Sequence, residues 1–156
     1  MDHTRYRKVF VTGALGFVGR ALMARYRALG AEVCGMDVRS DATESVVGGD
    51  VTRAEEWQEA INGSDLVIHT AAIVTNNVAP AEAWRVNVLG TRRVIDAAIK
   101  AGQARIASDI LENLKSKYSH WPGSLAGAQE WQRLSTQLAR KQQELEEASR
   151  KTTGRP

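Results

Sequence analysis

Three glycines stand three residues apart in Thr12-Gly13-Ala14-Leu15-Gly16-Phe17-Val18-Gly19, and an aspartate, Asp37, follows 24 residues after the first of them. Glycines at this spacing suit a chain that must turn tightly, admit a large anion to its backbone, and then press a helix against a strand. The anion that fits is a pyrophosphate, held by unpaired N–H groups at a helix start, where the helix dipole adds on the order of 0.3–1 kcal/mol. Asp37 supplies a carboxylate able to accept hydrogen bonds from ribose hydroxyls. Such a carboxylate repels a 2′-phosphate and favours NAD, whereas Arg39, two residues on, leaves NADP open.

The elements that must position these groups can be read from the apolar pattern. Lys8 to Thr12 is a short strand-like run ended by Gly13, and a helix follows with Val18, Ala21, Leu22 and Leu29 predicted on its apolar face and Arg20, Arg25 and Arg27 turned away. Gly30 sits where a helix-ending glycine belongs, and Ala31 to Asp37 reads as a second strand. A short strand around Val46-Val47, a helix from about Ala54 to Ile61, a buried strand in Asp65 to Thr70 and a long helix from about Pro80 to Ala101 come next. Strands alternating with helices imply an α/β fold with a parallel sheet of about four strands and helices on both sides.

After Gly102 the texture changes. Ile106, Ile110, Leu111 and Leu114 keep helical spacing, Trp121-Pro122-Gly123-Ser124 breaks it, and Gln129 to Lys151 reads as a second helix with Trp131, Leu134, Leu138 and Leu145 on one stripe. The domain division expected is a dinucleotide-binding half-fold over 1–103 and a helical tail over 104–156. That tail could cover the sheet, dock a partner protein or a second copy, or be sequence joined by truncation, frameshift or fusion.

Composition narrows the classes. The net charge of +3 arises after Gln103, where nine basic residues face six acidic ones, against twelve of each before it. This mild, interleaved excess argues against nucleic acid as a partner. No stretch approaches the roughly 20 apolar residues of a membrane span, and no signal-peptide pattern opens the chain, so a cytoplasmic location without membrane is expected. Cys34 is the only cysteine, read as a packed thiol, and His3, His69 and His120 are scattered, so no metal site is expected.

The motifs in order, Val11-Thr12-Gly13-Ala14-Leu15-Gly16-Phe17-Val18-Gly19, Gly49-Asp50-Val51-Thr52, Asp65-Leu66-Val67-Ile68-His69-Thr70-Ala71-Ala72 and Val86-Asn87-Val88-Leu89-Gly90-Thr91, resemble the extended short-chain dehydrogenases/reductases, the NAD-dependent epimerase/dehydratase and 3β-hydroxysteroid dehydrogenase group. The resemblance covers about Lys8 to Gly102. It implies a partial doubly wound Rossmann sheet, with the Phe17 and Val18 amides near the pyrophosphate and Asp50 and Val51 beside the adenine. It also implies Ala71 and Ala72 along the nicotinamide-side ribose, and Asn87 close to the active site. Each has a structural reading beside it: Asp50 as a helix cap, His69 as a hydrogen-bonded core histidine, Asn87 as a bridge between backbone groups. For Asp50 the cofactor role is preferred, for His69 the structural one.

In the family a serine or threonine and a Tyr-x-x-x-Lys pair carry the proton chemistry. Here the residue four after Tyr6 is Phe10, after Tyr26 is Gly30 and after Tyr118 is Pro122. Ser108 stands at about the distance of the missing serine, but in a helical pattern. No residue is therefore assigned as catalytic, and the chain reads as the N-terminal half of such an oxidoreductase or epimerase, truncated, with little or no turnover of its own. The alternatives are a non-catalytic dinucleotide-binding module whose tail engages a partner, and a folding-defective product whose fourth strand is left as an open edge.

Overall fold

The protein's structure, a computed structural model, describes residues 6–75 and 77–102 and scattered helical positions between 132 and 147. Strand β1, Lys8–Thr12, is buried from Val9 onward, as expected of β-branched and aromatic residues in the centre of a sheet covered on both faces. It pairs in parallel with β2, Glu32–Asp37, on one side and with β4, Leu66–His69, on the other; β3, Val46–Gly48, extends the sheet beyond β2. The order is β3-β2-β1-β4. Asp65 fixes the start of the β1–β4 ladder, because its carboxylate accepts the Arg7 and Lys8 amides at 2.8 and 2.9 Å.

Alternation along β1 divides the core. Val9 and Val11, with Val33 and Val46, meet Met23 and the half-buried Tyr26 of α1, Phe17–Ala28. Phe10, with Met36 and Val67, faces the opposite way, against Trp57, Ile61, Val94, Ile95 and Ala98. Helical structure on both faces of a parallel sheet is the doubly wound arrangement expected from the sequence. Large side chains such as Phe10 and Trp57, stacked with centroids 6.2 Å apart, each contribute about 1.5–3 kcal/mol of burial.

Helix α1 buries a face turned from the predicted one. Gly19 and Met23 point to the sheet and Leu22 and Leu29 are half-buried, while Val18 is 55% exposed and Ala21 is also exposed. The third glycine decides this: a Cβ on Gly19 would lie 2.1 Å from the Gly13 carbonyl oxygen, so the helix can approach only with Gly19 innermost. Gly30, at φ +84°, ends the helix as expected.

The predicted helix over Ala54 to Ile61 is two 3₁₀ turns, Ala54–Glu56 and Gln58–Ile61. Between them Trp57 leaves helical geometry (φ −139°), drops its ring into the core and donates its Nε1–H to the Asp50 carbonyl at 3.0 Å. The long helix is continuous but uneven: α2, Pro80–Trp84, a π-helical turn, Arg85–Gly90, and α3, Thr91–Lys100. At the turn the Thr91 hydroxyl donates to the Asn87 carbonyl at 2.6 Å, taking the acceptor that an α-helix would offer to the Thr91 amide.

The expected helix around Ile106 to Leu114, Ser108, and the stripe of Trp131, Leu134, Leu138 and Leu145 lie outside the described residues. Among the tail positions described, Arg133 reaches the Asp96 carboxylate of α3 at 3.3 Å. Among the described residues no helix is long and apolar enough to cross a membrane.

Candidate cofactor-binding site

The chain runs from β1 outward to β2 and β3, then returns to the other side of β1 to make β4. The direction of winding therefore reverses between β1 and β4, and the crevice at the carboxyl ends of those two strands is where open α/β sheets take ligands. The glycine turn occupies one wall of this crevice. Gly13 holds φ +68°, a backbone conformation that side chains disfavour, and a Cβ there would meet the Ala71 nitrogen at 2.8 Å. Gly13 is thus the contact between the turn and the loop that leaves β4.

Gly16 precedes α1 in extended geometry and no side chain caps the helix. The first turn, with Phe17, Val18 and Gly19, carries N–H groups without carbonyl partners inside the helix, and it contains no acidic residue. Phe17 is 95% and Val18 55% exposed, so neither side chain is packed into the core. These features fit an anion.

Asp37 ends β2 beside the turn. Its Oδ2 accepts the Leu15 amide and its Oδ1 the Val38 amide, at 2.9 and 2.8 Å, so this carboxylate shapes the glycine turn and retains acceptor capacity on both oxygens. Arg39 is exposed.

Asp50 and Val51 lie after β3. Val51 is buried under Gly90 in the core. Asp50 accepts the Thr52 amide and hydroxyl on Oδ1 and the Arg85 guanidinium on Oδ2. Although partial burial works the other way, those donors hold its carboxyl below the usual range.

The opposite wall is the segment after β4, with Ala71 half-buried and Ala72 exposed. Asn87 braces it, accepting the Ile73 amide on Oδ1 at 2.7 Å and donating from Nδ2 to the Ile73 carbonyl at 2.9 Å. His69 lies beneath. Its Nδ1 is 2.6 Å from the Thr12 hydroxyl and its Nε2 is 2.9 Å from the Thr91 hydroxyl. Because Thr91 donates onward to the Asn87 carbonyl, it must accept from Nε2–H, and Thr12 must donate to Nδ1. Burial pushes the imidazole pKa down to about 4, so the ring is neutral and its donors run in one direction, from Thr12 to Asn87.

The structure thus gathers Gly13, Gly16, Phe17, Val18, Gly19, Asp37, Ala71, Ala72 and Asn87 around the β1/β4 crevice, with Asp50 and Val51 at the carboxyl end of β3. Sequence reading gave no role to Thr12, Thr91, Glu82 or Arg85, all of which support this site. Glu82 and Arg85 carry a signal, opposite charges three residues apart on a helix. The two threonines carry none, since the His69 that joins them lies 57 and 22 positions away.

A profile of the NAD dependent epimerase/dehydratase family matches residues 9–108. The chain belongs to that family. It is 34% identical over 110 residues to a 3-beta-hydroxysteroid dehydrogenase of Mycolicibacterium neoaurum, covering 63% of this chain and 30% of that protein. Among solved structures it is similar to a short-chain dehydrogenase/reductase superfamily protein from Agrobacterium tumefaciens with bound NAD (39% identity, TM-score 0.54, 61% of this chain and 30% of the other). It is also similar to the Bordetella bronchiseptica enzyme WbmG in complex with NAD and UDP (28%, TM-score 0.53, 63% and 35%). The chain therefore spans about a third of the length of these relatives.

Proposed function

We propose that this chain binds NAD in the β1/β4 crevice and forms the dinucleotide-binding part of an enzyme that moves hydride at a secondary alcohol or ketone. The observation that carries the reading is the uncapped, acid-free helix start behind Gly13 and Gly16, set at the reversal point of the sheet. The Phe17 and Val18 amides would take the pyrophosphate, and Asp37 the adenosine ribose hydroxyls, which sets NAD ahead of NADP. Asp50 and Val51 would flank the adenine, while Ala71 and Ala72, braced by Asn87, would line the nicotinamide-side ribose.

When bound, the cofactor supplies the hydride chemistry. The residues of this chain bind and orient it; a proton donor of the Tyr-x-x-x-Lys kind is not in the sequence, so the chain alone is expected not to turn over an alcohol. Thermal melts with and without millimolar NAD, and in parallel with NADP, test the reading. A ligand at about 100 times its dissociation constant adds roughly 2.7 kcal/mol and raises the midpoint by several degrees. A midpoint unmoved by either dinucleotide would refute it, and alcohol oxidation by the purified chain would refute the lack of turnover.

A further inference from the structure

The Asp50 carboxylate is held from three sides. Oδ1 receives the Thr52 amide and hydroxyl, both at 2.8 Å, which is two donors on an oxygen with two lone pairs. Oδ2 receives Nη1 of Arg85 at 3.0 Å, leaving one direction open. Arg85 is itself clasped: its Nε and Nη2 donate to the two oxygens of Glu82 at 3.0 and 2.9 Å, while Nη1 also reaches the Thr52 hydroxyl at 2.5 Å. One edge of the planar guanidinium is thus fixed on Glu82 and the other is turned to the Asp50–Thr52 bend.

The same helical stretch grips that bend twice more. Arg93 donates to the Thr52 carbonyl at 3.3 Å, and Gly90 sits on Val51 so closely that a Cβ would lie 2.6 Å from its Cγ1. The bend cannot shift without the helix. With Oδ1 filled, a ligand donor meets Asp50 only at the remaining direction of Oδ2, and Arg85 determines where that direction points.

We propose that Arg85 is a positioning residue for purine selectivity: by fixing Asp50 with a single open acceptor direction, it makes the site prefer a 6-amino purine to a 6-oxo purine. This rests on the reading that NAD binds with its adenine at Asp50 and Val51. The adenine amino group is a donor that a carboxylate oxygen accepts, whereas the carbonyl of hypoxanthine faces the same oxygen as a second acceptor. Without Arg85 the carboxylate keeps only its two Thr52 bonds on Oδ1, so Oδ2 is no longer held in place and the amino group loses its fixed acceptor.

The test is calorimetric titration of NAD and of nicotinamide hypoxanthine dinucleotide into the full chain and its Arg85→Met and Arg85→Lys variants. The wild-type chain is expected to prefer NAD by about tenfold, the scale of one hydrogen bond to a charged group. In Arg85→Met the ratio should fall to about twofold or less while affinity for the hypoxanthine dinucleotide changes little. Arg85→Lys should follow it, since an ammonium cannot clasp Glu82 with two donors and still reach Asp50. A preserved ratio in the variants, or equal weakening of both ligands, would overturn the proposal. If Arg85→Met fails to melt cooperatively, Arg85→Lys decides. Wild-type chain that binds neither dinucleotide is a separate result, which refutes the cofactor reading itself.

Discussion

Acidifying the protein from pH 7 to pH 5 is expected to remove about 2 kcal/mol of stability through His69 alone, given a pKa of about 4 in the fold and about 6.5 when unfolded. Between those values the unfolded chain takes up a proton that the native ring refuses. The stabilisation is therefore complete above pH 6.5 and is lost as pH falls toward 4, at up to about 1.4 kcal/mol per pH unit. The geometry says why the ring refuses: protonation would turn Nδ1 into a donor facing the Thr12 hydroxyl, whose oxygen already receives the Thr70 and Ala71 amides at 3.2 and 3.3 Å. Against a typical total of about 5–15 kcal/mol this is a large loss. Urea unfolding at pH 7, 6 and 5, followed by the fluorescence of the buried Trp57, measures it in the wild type and in His69→Gln, which cannot titrate. The variant should be less stable at pH 7 but should lose about 2 kcal/mol less than the wild type between pH 7 and 5. Equal losses in the two proteins would refute the reasoning.

Gly19→Ala places a methyl carbon 2.1 Å from the Gly13 carbonyl oxygen, against backbone that has no rotamer to yield. It should destabilise by about 1–3 kcal/mol in urea and abolish any NAD-induced shift in the melt. Thr91→Val removes the acceptor of the His69 Nε2–H inside the core, at a cost of about 1–3 kcal/mol, whereas Thr91→Ser should retain most of the stability; the two urea midpoints check this. Asn87→Leu takes both partners from Ile73, so hydrogen exchange at the Ile73 amide should quicken well beyond any change at the β1 amides; unchanged exchange would count against the brace.

What the sequence disclosed was local. The glycine spacing, Asp37 at the end of its strand and the alternation of elements are set by neighbours within about thirty residues, and each stands where it was read. The first helix shows the limit of that reading. Apolar periodicity selected Val18 and Ala21, but a glycine with no hydrophobic signal determined the buried face, because close approach is a steric property. The break at Trp57 was hidden for a similar reason: its side chain satisfies a carbonyl seven positions earlier, and the turn bends to allow it. The chain from Thr12 through His69 to Thr91, and the Asp50–Arg85 pair, join residues 57, 22 and 35 positions apart, and one sequence holds no record of which polar groups meet over such spans.

Placing β1 in the middle of the sheet also sets an order of assembly. Its ladder with β2 matches Lys8 to Glu32, while its ladder with β4 matches Val9 to Leu66, a loop more than twice as long. In chain entropy the second closure costs only about 1 kcal/mol more, but non-local pairing is what slows folding. The β1–α1–β2 unit is therefore expected to form first as the chain leaves the ribosome. Until Leu66–His69 has emerged, one side of the central strand stays open, so this interval is when a nascent chain is most exposed to pairing with another copy.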